Sequence, residues 1–294
     1  MKMKKIFLIV FMVITTTFLI SCDFISFGNT TSASPVALST LPETVDGTIT
    51  FLNEDYFAFP AYVSDTYSIK NIDDYNNVLL DTKDTIRHSN IQIQTTLIEE
   101  RYPFPWSETL KEYVVGSSSG SGFIFMEQDG YYYALTNYHV VNPLDYQAEY
   151  TIKTYGEELS EKATFVTGNE EFDLAVLRFP VGEKEDIAII DIYERLYYRF
   201  NVGELVLAVG NPLGVVNNVT FGSFHSMEEI ENVSYNVIYH DASIKEGSSG
   251  GALVDVDGNL IGINTWGIDS SDEYSFAIPN YIIYTFLVNY GVLE

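Results

Sequence analysis

The stretch from Glu246 to Trp266 constrains this chain more than any other. It reads Glu-Gly-Ser-Ser-Gly-Gly-Ala-Leu-Val-Asp-Val-Asp-Gly-Asn-Leu-Ile-Gly-Ile-Asn-Thr-Trp. Its second half is a hairpin signal: Val254 and Val256 lead into the turn Asp257-Gly258-Asn259, and Leu260, Ile261 and Ile263 lead out. Its first half is a tight glycine loop that presents Ser249 between Gly247 and Gly250-Gly251, where the backbone can bend sharply and approach a substrate closely. A serine hydroxyl is a weak nucleophile at its own pKa. It needs an adjacent base, and backbone N–H groups aimed at the oxygen that gains charge. An ordinary Gly/Ser loop has the same composition, so the rest of the chain must decide between the two readings.

The N-terminus speaks to compartment. Lys2, Lys4 and Lys5 precede an apolar run from Ile6 to Ile20 that contains no acid. The run is shorter than the ~20 residues of a membrane-spanning helix and fits the apolar region of a secretory signal. It ends Leu19-Ile20-Ser21-Cys22, which resembles the lipobox of bacterial lipoproteins, so Cys22 is the expected lipidation site. Cys22 is the only cysteine, which excludes an intrachain disulfide. With 15 basic and 41 acidic residues the net charge is −26, and the signal carries three of the lysines and none of the acids. Such acidity argues against nucleic acid as a partner and against electrostatic docking on anionic lipid. Attached lipid would have to anchor the chain.

Four stretches follow from composition and pattern. Residues 1–21 read as a lipoprotein signal peptide, 22–48 as a Ser/Thr/Gly/Pro-rich tether, 49–89 as an N-terminal arm, and 90–294 as the main domain. The arm holds an aromatic cluster, Tyr56 to Tyr62, that either packs on its own domain or makes a subunit contact. Ile72, Tyr75, Leu79 and Ile86 fall at helical spacing. From Asn90 the pattern turns to β. Ile91, Ile93, Thr95 and Leu97 alternate, and Asp129-Gly130 marks a hairpin before Tyr131–Leu135. Short strands are expected at Tyr150–Thr154, Leu174–Phe179, Leu205–Val209, Val237–His240, Ala252–Val256, Leu260–Thr265 and Ser275–Ile278. A last helix is expected to start at an Asn280 cap and end at Gly291. Many short strands and few helices imply an all-β sandwich or barrels.

Three segments carry chemistry. Leu135-Thr136-Asn137-Tyr138-His139-Val140-Val141 puts a histidine just after a strand. Glu171-Phe172-Asp173-Leu174-Ala175-Val176-Leu177 puts an aspartate just before one, and Gly247–Gly251 supplies Ser249. The chain order His, Asp, Ser is that of the chymotrypsin triad. Together with Gly120-Ser121-Gly122-Phe123-Ile124, Ala208–Gly214, Ile261–Thr265 and Phe276–Pro279, these segments resemble the trypsin-like fold and, within it, the HtrA/DegP-like serine endopeptidases.

The resemblance implies two six-stranded antiparallel β-barrels (chymotrypsin-like) with a short C-terminal helix. It also assigns roles by position. Ser249 attacks the peptide carbonyl, His139 takes its proton and returns it to the leaving amine, and Asp173 holds the histidine tautomer. The N–H groups of Gly247 and Ser249 form the oxyanion hole, and Ser243, Ile244, Asn264, Thr265 and Trp266 line the substrate pocket. None of these five is charged, so a small or medium apolar side chain is expected before the scissile bond. Ser248 and Lys245-Glu246 depart from the family's usual residues in the oxyanion loop. Only three residues follow the last helix, so no PDZ domain is expected.

The expected protein is thus a lipid-anchored, extracytoplasmic serine endopeptidase of the bacterial cell surface. It would act on protein or peptide substrates, with no cofactor and no metal, and with a homotrimer as the candidate assembly. The alternative is a catalytically silent surface binding protein on the same fold. A glutamyl endopeptidase is a further rival, ranked lower because the strand Gly262–Gly267 contains no histidine.

Overall fold

The computed structural model describes residues 61–141, 147–156, 160–182, 186–196, 198–212, 217–267 and 274–293, together with the backbone of 40–45 and 48–52. The signal peptide, Cys22, most of the tether and residues 56–60 of the aromatic cluster lie outside these residues. A small hairpin, β1 (Thr40–Val45) with β2 (Thr48–Leu52), spans the boundary between tether and arm.

Two closed six-stranded antiparallel barrels make the body of the molecule. The first contains β3 (Asn90–Arg101), β4 (Lys111–Gln128), β5 (Tyr131–Thr136), β6 (Gln147–Thr154), β7 (Glu161–Asn169) and β8 (Leu174–Pro180). Its strands run in the order β3-β4-β5-β8-β7-β6 and close through β3 and β6. The second contains β9 (Leu205–Gly210), β10 (Asn218–Glu229), β11 (Asn236–His240), β12 (Ala252–Val254), β13 (Leu260–Gly267) and β14 (Ser275–Pro279). Its order is β10-β11-β14-β13-β12-β9, closed through β9 and β10. Among the described residues three α-helices accompany them: α1 (Ile72–Ser89), the single turn α2 (Tyr138–Val141) and α3 (Asn280–Asn289).

The apolar runs read from the sequence are continuous because several strands are buried on both faces. In β8, Ala175, Leu177 and Phe179 fill the first barrel, while Leu174 and Val176 face the layer between the barrels. In β9, Val206 and Ala208 fill the second barrel, and Leu207 and Val209 face the same middle layer. That layer takes Ile86 from α1 and Ile282, Ile283, Phe286 and Leu287 from α3, so both helices brace the joint between barrels. Helix α1 is capped by Asn71, whose Oδ1 accepts from Asp73 N at 2.9 Å. Of its expected stripe, Ile86 is buried and Tyr75 and Leu79 are half-buried, while Ile72 faces solvent.

At α3 the expected cap differs. Pro279 precedes the helix without a side-chain cap, and Asn280 is its first residue. The Asn280 carboxamide instead donates to Leu260 O at 3.2 Å, fastening the helix to β13. The other end is as expected: Gly291, at φ 68°, closes the helix. Its N–H donates to Val288 O, and Val292 N donates to Leu287 O.

One polar residue sits badly in this interior. His240, at the end of β11, is fully buried, and among the described residues neither ring nitrogen makes a well-formed hydrogen bond, the Asn264 side chain being its nearest polar neighbour. Burial pushes its pKa down to about 3, against an opposing pull from Asp241. The unfolded chain takes up this proton below about pH 6.5, whereas the folded chain refuses it. Stability contributed at neutral pH is therefore lost as the pH falls, by about 2 kcal/mol at pH 5. His240→Leu should flatten that slope. Between pH 7 and pH 5 the wild-type Tm should fall roughly 4–8 °C more than the variant's. Equal falls in the two proteins would show that His240 is not the titrating group.

Candidate active site

The candidate residues meet where the two barrels face each other. β5 ends at Thr136, and α2 follows at once, so His139 is carried on a one-turn helix at the barrel's rim. Asp173 ends the turn that begins at Glu170, with its N–H on Glu170 O at 3.1 Å, and it stands immediately before β8. Its φ of 52° lies in the left-handed region, which asparagine and aspartate tolerate better than most residues. His139 Nδ1 lies 2.8 Å from Asp173 Oδ2 and 3.0 Å from Oδ1. The backbone N–H of His139 also donates to Oδ1 at 2.9 Å, and Asn137 Nδ2 donates to Asp173 O at 3.0 Å. The Asp173 side chain is 15% exposed and the imidazole 37%, so the carboxylate is shielded while the ring reaches the cleft.

The second barrel adds a third contact to this carboxylate. Thr265 Oγ1, on β13, donates to Asp173 Oδ2 at 2.9 Å. The carbonyl of the same residue accepts from Ser249 Oγ at 3.1 Å. Thr265 therefore spans the acid and the serine, a role that its place among the pocket candidates did not suggest. Asn264 also points away from a pocket wall: it is buried, and its Nδ2 donates to Gly251 O and Ala252 O at 3.1 and 2.9 Å. Ser243 and Ile244 are half-buried beside the serine loop, and Ser243 O accepts from Thr220 Oγ1. Trp266 is half-buried, and Gly267 faces Ile244, whose Cγ1 would lie 3.6 Å from a Cβ at that glycine.

The serine loop is a defined turn. Ser248 N donates to Lys245 O at 2.8 Å, and Gly247 has φ 92° while Glu246 does not have a positive φ. A positive φ at the third position alone is the mark of a type II turn, which needs glycine there. Neither the Gly247 nor the Ser249 amide has a partner among the described residues. Both are available to a ligand. Two contacts fix the loop on the first barrel. Ser121 N donates to Ser249 O at 2.9 Å, and Ser121 Oγ donates to Gly247 O at 2.6 Å. Ser121 Oγ in turn accepts from Asn211 N at 2.8 Å and lies 3.1 Å from Asn211 Nδ2. Gly120 lets this approach occur, because a Cβ there would lie 2.7 Å from Val140 and 3.2 Å from Ser249 O. Ser121 and Asn211 stand in the quoted motifs, yet their holding role depends on contacts 90 and 126 residues apart in sequence.

Among the described residues no cluster of His, Cys, Asp and Glu could hold a metal ion, and no helix is long and apolar enough to cross a membrane.

With this geometry set out, the class of domain can be stated. Residues 120–263 match the trypsin-like peptidase domain, and the two barrels have the chymotrypsin-like architecture. Within that class the chain is similar to the HtrA-type serine proteases. It is 34% identical over 184 residues to the serine protease Do-like HtrA of Lactococcus lactis subsp. cremoris, covering 56% of this chain and 42% of that protein. It is 33% identical over 189 residues to the periplasmic pH-dependent serine endoprotease DegQ of Escherichia coli, covering 60% and 38%. Among solved structures, the HtrA-type protease AlgW with a decapeptide superposes with a TM-score of 0.56 at 28% identity, covering 73% of this chain and 67% of that one. The chain thus spans about two fifths of the length of the curated relatives it matches.

Proposed function

We propose that the chain is an exported, lipid-anchored serine endopeptidase that cleaves peptide bonds through an acyl-enzyme. One observation carries the reading. The Asp173–His139 pair and the Ser249 turn, with two unpartnered amides, come together from different barrels at one cleft. In this reading Ser249 Oγ leaves Thr265 O when substrate binds and passes its proton to His139. Asp173 holds Nδ1–H and stabilises the imidazolium, and the Gly247 and Ser249 amides receive the oxyanion. The proton then goes to the leaving amine, and water repeats the cycle on the ester. Ser243, Ile244 and Trp266, all uncharged, would receive an apolar side chain, because a charged one would be buried there without a partner.

A fluorophosphonate probe tests the assignment against the silent binding protein. The probe should label Ser249 and no other serine, and labelling should disappear in His139→Ala. A folded protein that takes up no probe would support the binding-protein reading instead.

The anchoring half rests on Leu19–Cys22. One acyl chain binds a membrane only marginally, whereas two hold firmly. Cys22→Ser should move the protein from the detergent phase to the aqueous phase or leave the signal uncleaved. Unchanged detergent partitioning of a protein from which the signal has been removed would take the lipobox out of the account.

A further inference from the structure

The hairpin of β3 and β4 runs on past the barrel it begins in. β6 follows β3 only as far as the pair Ile98↔Gln147, whereas β3 and β4 remain paired to Arg101↔Lys111. Residues 102–110 thus cap a two-stranded ribbon that projects on the order of 10 Å beyond the last three-stranded row. The cap is open and carries four large apolar side chains, with Ser107, exposed Glu108 and exposed Thr109 between Trp106 and Leu110. Tyr102, Phe104, Trp106 and Leu110 are 56, 57, 79 and 46% exposed, and Val114 below them is 70% exposed. Phe104 and Trp106 stack on each other, with centroids 5.4 Å apart and planes 5° from parallel, so each ring leans on its neighbour and leaves its other face open. Ser107 ties the loop, donating from N to Phe104 O and from Oγ to Thr109 O.

We propose that this aromatic cap docks in the interfacial layer of a lipid bilayer, the same bilayer that Cys22 enters. The proposal rests on the lipid-anchor reading above. Three observations select a bilayer as the occupant. Trp and Tyr are the side chains that settle at the headgroup level, where one part of the ring is wet and the other apolar, and the apolar ring of Phe104 beside them suits the acyl boundary. The cap is narrow and stands on a stalk, a shape suited to dipping into a fluid layer. The tether also permits the contact. Thirty-nine residues run from Cys22 to Pro60, and a coil of that length spans roughly 30–40 Å, less where β1 and β2 fold back. Charge does not drive the contact. Arg101 and Lys111 form the last pair of the stalk, but Glu99, Glu100 and Glu112 surround them, and the chain as a whole is acidic. The lipid recognised is therefore the neutral interface rather than an anionic headgroup. With lipid and cap both engaged, the domain takes one orientation on the bilayer, which a single flexible tether does not impose.

Trp106 is one of only two tryptophans, the other being Trp266, so it is its own probe. Full-length lipidated protein carrying Trp266→Phe is reconstituted into phosphatidylcholine vesicles whose acyl chains are brominated near the headgroup end. The floated protein should show Trp106 emission shifted to the blue, quenched several-fold relative to unbrominated vesicles, and protected from aqueous acrylamide. Protein that floats but keeps an unquenched, acrylamide-accessible Trp106 overturns the docking proposal and leaves the anchor standing. Protein that does not float overturns both. A blue shift that appears in detergent without lipid and grows with protein concentration assigns the cap to a second copy and also overturns the proposal.

Discussion

Ser249→Ala is expected to lower kcat/KM for a cleavable peptide by about four orders of magnitude or more, with an unchanged melting temperature. His139→Ala should do nearly the same, and the double variant should be little worse than either single one, because the groups act as a unit. Asp173→Asn should cost about 10⁴ in kcat by holding the wrong tautomer of His139. The structure adds a detail to that variant. Asp173 accepts from His139 Nδ1, from the His139 backbone N–H and from Thr265 Oγ1. Asparagine offers one acceptor oxygen where three donors converge, so it also loosens the rim turn that carries His139. Thr265→Val separates the two effects. It removes one donor while keeping the carboxylate and the Thr265 carbonyl that holds Ser249, and should cost far less than Asp173→Asn. Steady-state kinetics with a casein-derived peptide, alongside thermal melts, measure all of these. A Ser249→Ala protein that cleaves at the wild-type rate would sink the mechanism.

How legible these features were in the sequence depends on the range of the contacts. The strands buried on both faces could be read directly, because Leu174–Phe179 and Leu205–Val209 are unbroken apolar runs. β7 could not be. Its residues are mostly exposed or half-buried, and the strand exists because β6 and β8 offer it backbone partners. β10 was equally silent, since its sequence mixes Gly222, serines and acids. Gly222 is there because the backbone of Ala242 and the carboxylate of Asp241 pass too close for a Cβ. The three segments with His139, Asp173 and Ser249 were legible because each motif is local. The residues that fix their geometry were not, because Ser121, Asn211 and Thr265 work through partners distant in sequence. Tyr62 settles its own part of the aromatic cluster: its ring packs on Tyr198 at 5.3 Å, within its own chain.

The largest stability effect expected lies outside the site, at Arg195. The residue has no solvent exposure, and its Nη1 bonds to Glu204 and, at 2.8 Å, to Asp255, both buried. Its guanidinium lies 4.1 Å from the Tyr62 ring centroid, which covers it from the arm. The carboxylates are used again: Glu204 accepts from Asn201 N, and Asp255 from Asp257 N and Asn259 N at the turn of the β12–β13 hairpin. Asp257 beside it takes the hydroxyls of Tyr62, Ser64 and Thr66. The cluster therefore sews the arm to a hairpin whose first strand begins three residues after Ser249. Arg195→Met keeps most of the volume but leaves two buried carboxylates without their cation. The expected cost is about 3–5 kcal/mol, or a Tm lower by roughly 10 °C. Lost packing alone would give the same deficit at every pH. Lost charge would not. Burial already holds the Asp255 carboxyl above the usual carboxylate range against the opposing pull of Arg195, and without the guanidinium that rise grows. The variant's penalty is then full at high pH and shrinks as the pH falls and Asp255 becomes neutral. Thermal melts of wild type and variant between pH 5 and pH 8 should therefore converge toward the acid end. Parallel curves would show that Arg195 acts by filling space and not by its charge.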